Sequence, residues 1–158
     1  MPGLYFEEFH VGQIFDHAIR RTVTEADNTL FCCMTHNTQP LHIDHQFAAG
    51  TEWKKPLVNS LFTLGLMIGI SVSDLTVGTT IANLGMTDVR FPSPLFEGDT
   101  VRCTTEIAGK RESKSRPTAG LVTVRTRVKK TDGTVVCDFE RTILVAKRGH
   151  AVEDRMGY

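Results

Sequence analysis

Residues 57–75 read LVNSLFTLGLMIGISVSDL, and the fold turns on this stretch. Asn59, Ser60, Gly65 and Gly69 interrupt its apolar run, which falls short of the ~20 apolar residues that cross a bilayer. It therefore predicts a buried helix. Asn59 or Ser60 can cap it, and the helix extends from Leu61 to about Leu75. Apolar residues go nearly all the way round, so the helix must be surrounded; a surface helix would keep a polar face.

What surrounds it lies downstream, where the apolar period changes from 3.6 to two. Strands are expected near Ile81–Arg90, Thr100–Lys110, Leu121–Lys130 and Val135–Lys147. Asp132-Gly133 is a two-residue hairpin signal, and its register places Val128 opposite Cys137 and Thr126 opposite Phe139. The same register sets Arg127 opposite Asp138 and Arg125 opposite Glu140. One face then collects apolar groups and the other opposite charges, which a one-residue slip would scramble. Upstream, Phe15, Ile19 and Val23 share one parity and predict a first strand within Ile14–Thr24. Thr24-Glu25-Ala26-Asp27 is a capping box opening a helix expected to turn Leu30, Phe31 and Met34 inward. Pro40 should stop any helix, and a short one should run from Asp44 to about Thr51.

An antiparallel sheet of five to six strands wrapped around one long apolar helix is the α+β arrangement called the hot-dog fold. The 158 residues, 41% of them hydrophobic, suit one domain spanning 1–158, with its core at about 5–148 and a short polar tail at 149–158. The 18 Lys plus Arg are balanced by 18 Asp plus Glu, which removes the general drive toward nucleic acid or an anionic membrane. The N-terminus, Met1-Pro2-Gly3-Leu4-Tyr5-Phe6-Glu7-Glu8, is acidic where a signal peptide would be basic, so a cytoplasmic location is expected. Cys32, Cys33, Cys103 and Cys137 lack the spacing of a disulfide framework and read as reduced core residues. Met34, Met67 and Met86 read as core filler.

Chemistry concentrates in 35–44, where imidazoles and amides cluster. His42 is a group able to exchange protons near neutrality. Asn37, five residues earlier, offers an amide that could position water. Asn59 and Ser60 open the long helix, whose unpaired first-turn amides can hold an oxygen on which negative charge develops. Together these describe a water-adding or water-removing site; the plainer reading of the same residues is that Asn37 and Asn59 are loop and cap residues and His42 satisfies local hydrogen bonds.

Asn37-Thr38-Gln39-Pro40-Leu41-His42-Ile43-Asp44, then Phe47-Ala48 and Pro56-Leu57-Val58-Asn59-Ser60, resembles the signature of the MaoC-like, R-specific enoyl-CoA hydratases. The stretch from Phe91 to Thr100 resembles the same family's strand entry. The resemblance implies a hot-dog fold, assembly as a homodimer or larger homo-oligomer, and hydration of an acyl-CoA thioester without metal or redox cofactor. It also implies that His42 is catalytic. The family usually carries Asp where Asn37 stands, and Asn cannot act as a base. The stretches 59–65, 83–85 and 112–117 resemble the subgroup acting on branched C5 dicarboxylyl-CoA esters of the mesaconyl, itaconyl or methylmalyl type. There, Asn37 would remove repulsion between an Asp and the substrate's own carboxylate.

Arg111, Lys114 and Arg116, which follow Lys110, are the candidates for coenzyme A phosphates, and Arg90 for a substrate carboxylate. A solvated loop between strands is an equal alternative for the basic run. His36, His42 and His45 with Cys32 and Cys33 match no zinc spacing, so no metal is expected. Two rivals share the acyl-CoA site: a hot-dog thioesterase, which would attack the carbonyl, and a non-catalytic acyl-CoA-binding subunit marked by Asn37.

Overall fold

The computed structural model describes residues 3–156; Met1 and Pro2 of the acidic N-terminus and the last two residues of the expected tail lie outside the described residues. After a short 3-10 turn at Phe6–Glu8 come β1 (Ile14–Asp16), β2 (Arg21–Thr22), α1 (Glu25–Met34), α2 (Pro40–Ile43), α3 (His45–Gly50) and α4 (Ser60–Leu75). Then follow β3 (Thr80–Arg90), β4 (Thr100–Glu112), β5 (Ala119–Lys130), β6 (Val135–Ala146) and α5 (Val152–Met156). The six strands form one antiparallel sheet ordered β1-β4-β5-β6-β3, with β2 also on β4. With α4 packed on its inner face, this is the hot-dog arrangement expected from sequence.

The hairpin register holds at all four pairs: Val128 with Cys137, Thr126 with Phe139, Arg127 with Asp138 and Arg125 with Glu140. Asp138 receives Arg125 at 2.9 Å and Arg127 at 3.0 Å on the outer face. The inner face buries Val128, Cys137 and Phe139. The expected first strand is split into β1 and β2, with His17 buried and Ile19 exposed between them.

The core is divided by a polar layer. Around the first part of α4 lie Met67, Ile70, Cys103, Val128 and Phe139, and around its end lie Leu75, Ile107, Val124 and Ile143. Between the two, each inner strand contributes a polar residue: Thr105 on β4, Thr126 on β5 and Arg141 on β6, all buried. Thr105 and Thr126 share a 2.9 Å hydroxyl contact, and His17 links Thr105 at 2.9 Å to Asp74 of α4 at 2.7 Å. Among the described residues the Arg141 side chain donates only to the Ser71 hydroxyl, at 3.4 Å.

Several expectations are corrected. On α1, Leu30 and Met34 are 61% and 81% exposed, while Asn28 and Cys32 turn inward. Positions 28 and 30 are about 200° apart around a helix, so burying the Asn28–Cys32 face puts Leu30 and Met34 outside. Cys33 is exposed for the same reason, and only Cys32, Cys103 and Cys137 are buried. Met67 fills the core, whereas Met86 is exposed on β3. Pro40 opens α2 at its first position instead of stopping a helix, where the missing N–H costs nothing. Within the segment expected as a short polar tail, α5 forms, and Tyr5 Oη donates to Asp154 at 2.6 Å, which adds to that expectation without overturning it. Nor is α4 fully enclosed by its own chain: Leu61, Gly65 and Gly69 stay exposed, and β3 presents an exposed edge. Among the described residues no helix is long and apolar enough to cross a membrane.

Candidate active site

The loop after α1 is folded by its own polar side chains. Thr24 caps α1 by accepting from the Asp27 amide while Asp27 accepts from Thr24, a pairing worth about 1 kcal/mol. At the other end Thr35 Oγ1 donates to the Phe31 carbonyl at 2.8 Å, and the Asn37 amide donates to Cys32 at 2.9 Å. Asn37 Oδ1 then accepts from the Gln39 amide at 3.1 Å. Its Nδ2 has no acceptor among the described residues, so the Asn37 side chain offers a donor. Pro40 starts α2, one turn long, and its last turn carries half-buried His42.

His42 is fixed by the segment leading into α4. Its Nδ1 lies 2.6 Å from the Leu57 carbonyl oxygen. A carbonyl only accepts, so Nδ1 carries the proton and Nε2 is the basic nitrogen. Leu57 returns its own amide to the Leu41 carbonyl at 3.1 Å. The backbone of 57 thus grips α2 from two sides.

Beneath this contact lies Asn28, which the sequence reading missed. It is 5% exposed. Its Nδ2 donates to the carbonyls of His42 at 2.9 Å and Leu57 at 3.2 Å, and its Oδ1 accepts from the Asn59 amide at 2.9 Å. The signal was an amide at helix spacing from Cys32, a cysteine already read as a core residue. Burial pushes the Cys32 thiol up, against a hydrogen bond from Asn59 that lowers it.

Asn59 and Ser60 have different roles from one another. Asn59 is the cap of α4, its Oδ1 accepting from Leu61 at 2.9 Å, and its own amide is taken by Asn28. Its backbone amide is thus not left for a substrate oxygen, and its Nδ2 faces the Cys32 sulfur at 3.9 Å. Ser60, the first residue of α4, has no acceptor for its N–H among the described residues, at the positive end of a 16-residue helix. Ser60 lines a cavity of about 170 Å³ with Trp53, Leu57, Thr63, Phe91 and Leu95. His42 opens on a smaller crevice with Glu25, His45 and Glu97. Val58 borders both spaces, so His42 and Ser60 stand on either side of the Leu57–Val58 segment.

The remaining candidates are elsewhere. Arg90 is 69% exposed at its side chain and paired to Asp88 at 2.6 Å, so it does not enter the cavity. Arg111, Lys114 and Arg116 do come together, over an apolar floor of Ile81, Leu121 and Leu144, in a groove of about 490 Å³. This groove is at the other end of the sheet. The cavity touches Val136 and the groove Leu144 of the same strand, eight residues or roughly 26 Å apart. One chain therefore does not bring the basic run to His42. Lys110 is spent on the carbonyls of Glu7 and Phe9. Among the described residues, no three His, Cys, Asp or Glu side chains gather as a ligand set.

Comparison with known proteins agrees with this architecture. Residues 7–133 match the family described as MaoC like domain. The chain is 31% identical to a mesaconyl-CoA hydratase of Cereibacter sphaeroides over 149 residues, covering 94% of this chain and 43% of that protein. It is 28% identical to an (R)-specific enoyl-CoA hydratase of Rhodospirillum rubrum, covering 92% of this chain and 94% of that one. A Mycobacterium tuberculosis protein with a double hotdog fold superposes with a TM-score of 0.81 at 26% identity, over 95% of this chain and 47% of that one. The chain thus spans less than half of the mesaconyl-CoA hydratase it matches.

Proposed function

This chain belongs to the MaoC-like domain family, and from that premise we propose that it catalyses reversible addition of water across the double bond conjugated to a coenzyme A thioester. The observation that carries the proposal is His42, whose Nε2 is left basic by the Leu57 contact, on one side of the Leu57–Val58 segment, with the free amide of Ser60 at the start of α4 on the other. In the hydration direction, Nε2 takes a proton from water as its oxygen bonds to the β-carbon. The electron pair of the double bond moves toward the thioester, whose oxygen is held by the Ser60 N–H. The imidazolium then gives the proton to the α-carbon. Asn37, with its Nδ2 as donor, orients the water or the substrate. No metal or redox cofactor enters the reaction, and coenzyme A is part of the substrate.

The acyl group we propose is a branched C5 dicarboxylate of the mesaconyl or itaconyl type. The mesaconyl-CoA hydratase relative supports it, as does the amide at position 37, which spares a substrate carboxylate the repulsion an Asp would exert. We further propose that the unit is a homodimer or larger homo-oligomer. β3 is a long exposed edge carrying Ile81, Leu84 and Val89, and such an edge seeks a partner strand. Two copies paired antiparallel along β3 would set the Ile81 end of one, with its Arg111, Lys114 and Arg116 groove, against the Phe91 end of the other. That is the arrangement in which the groove could hold coenzyme A phosphates.

The test incubates the protein and His42→Ala with mesaconyl-, itaconyl- and crotonyl-CoA, following mass gain of one water and release of free thiol. Water gain that vanishes with His42→Ala is the expected result. Free coenzyme A would replace the proposal with a thioesterase, and binding without either product with a non-catalytic subunit.

A further inference from the structure

We infer that Asn28 is a positioning residue that sets the catalytic base and the oxyanion donor of this site with one side chain. The inference rests on the hydratase reading for the word catalytic, and on geometry alone for the positioning.

All four hydrogen-bonding positions of this buried amide have a partner; one is the Cys32 thiol on the same helix, at 4.0 Å from Oδ1, and the other three go to different parts of the site. Nδ2 holds the carbonyl of His42 itself at 2.9 Å. The same nitrogen meets the Leu57 carbonyl at 3.2 Å, the oxygen that also receives His42 Nδ1 at 2.6 Å. Oδ1 takes the amide of Asn59 at 2.9 Å. Asn59 in turn caps α4 and directly precedes the free amide of Ser60. Without Asn28, two carbonyls and one amide would be left short of partners in a site with little water access. The carbonyl that selects the His42 tautomer would be free to turn.

Only an amide does this. The arrangement needs two donors on one atom and an acceptor on the other, planar and short enough to stay within α1. Serine supplies one donor, and a carboxylate supplies none in its ionised form while pointing an oxygen at two carbonyl oxygens. An apolar residue of the same size supplies neither. Asn28 also joins α1 to the loop at 57–59, although the two are about thirty residues apart in sequence.

The experiment compares wild type with Asn28→Asp and Asn28→Ser, reading kcat and KM for hydration together with the ¹⁵N spectrum of the His42 imidazole, assigned with a His42→Asn sample. The expected result for Asn28→Asp is a folded protein whose kcat falls about 10- to 100-fold, with KM within about threefold. Its His42 signal should move away from the pure Nδ1–H form toward a mixture of tautomers. Asn28→Ser should lie between Asn28→Asp and wild type in both readouts. If Asn28→Asp does not fold, Asn28→Ser is judged by the same two criteria. A folded variant with wild-type kcat and an unmoved His42 spectrum would overturn the inference. So would activity that merely tracks the unfolded fraction while His42 in the folded fraction stays unchanged. If the wild type hydrates no thioester, the hydratase reading fails, and the response of the His42 spectrum still decides whether Asn28 positions it.

Discussion

The imidazole Nδ1 of His42 lies 2.6 Å from the carbonyl oxygen of Leu57, and this one contact selects the tautomer that leaves Nε2 basic. His42→Asn separates the structural half of the residue from the chemical half. The shorter amide can still donate to Leu57 from about the position of Nδ1, but it has nothing in place of Nε2. Hydration should fall by about 10²- to 10⁴-fold, with the melting temperature within a few degrees of wild type. A collapse in melting temperature to match the activity would show that His42 serves the fold.

Ser60→Pro removes one backbone hydrogen and little else. Ser60 is the first residue of α4, and Asn59 before it is extended at φ −60°, ψ 127°, which a following proline accepts. We expect a folded protein that has lost about 10²- to 10³-fold in kcat, while Ser60→Ala stays close to wild type. Equal activity in the two variants would mean that the Ser60 amide holds no developing charge.

Asn37→Asp keeps the oxygen that accepts from Gln39 and exchanges the free donor for a carboxylate oxygen. A substrate with its own carboxylate should feel the added charge and a plain enoyl thioester should not. Relative kcat/KM for mesaconyl-CoA over crotonyl-CoA should drop about tenfold or more. An unchanged ratio would sink the repulsion argument.

Arg141 is 5% exposed, its Nε has no partner among the described residues, and its Nη2 donates to the Ser71 hydroxyl at 3.4 Å. Burial pulls this guanidinium down from its ordinary range. A charge so poorly matched is costly, so Arg141→Met should melt at or a few degrees above wild type. A fall of more than about 5 °C, some 1–2 kcal/mol in a chain of this size, would mean that Arg141 finds a partner in the native assembly.

Burial pushes the Cys103 thiol up to about 12 and the Cys137 thiol up to about 11, from an ordinary value of 9.0. In the folded chain both stay protonated where the unfolded chain ionises, so the unfolded state binds fewer protons. Their contribution to stability is complete below pH 9.0 and declines as pH rises toward 11 and 12. A thiol reagent at pH 8 should modify Cys33 quickly and the three buried cysteines only on unfolding. Urea midpoints measured between pH 8 and 10.5 should fall, and a Cys103→Ala, Cys137→Ala double variant should show a shallower decline.

Much of the fold was legible because it rests on local and nearest-neighbour rules. The strands from Thr80 onward and the register across Asp132-Gly133 follow from period-two alternation and a turn whose chemistry allows one pairing. The caps at Thr24 and Asn59 follow from side chains that reach amides two or three residues away. The inward face of α1 was not legible. Hydrophobicity pointed to Leu30 and Met34, and the chain instead buries Asn28, because three backbone groups 14, 29 and 31 residues downstream needed its amide more than the core needed two apolar side chains.

The candidate site divides in the same way. By itself, the sequence determined the helix, the strands, His42, and the helix start at Asn59-Ser60, since each is announced by residues close to it along the chain. Only the tertiary structure decided which nitrogen of His42 is basic, which of the two amides at 59 and 60 is free, and that Arg90 is spent on Asp88. It alone also placed Arg111, Lys114 and Arg116 at the far end of the sheet. The physical reason is that hydrogen-bond donors and acceptors are matched across the whole fold. Which partner a group receives depends on what the distant chain brings within 3 Å of it, and no local pattern of residues records that.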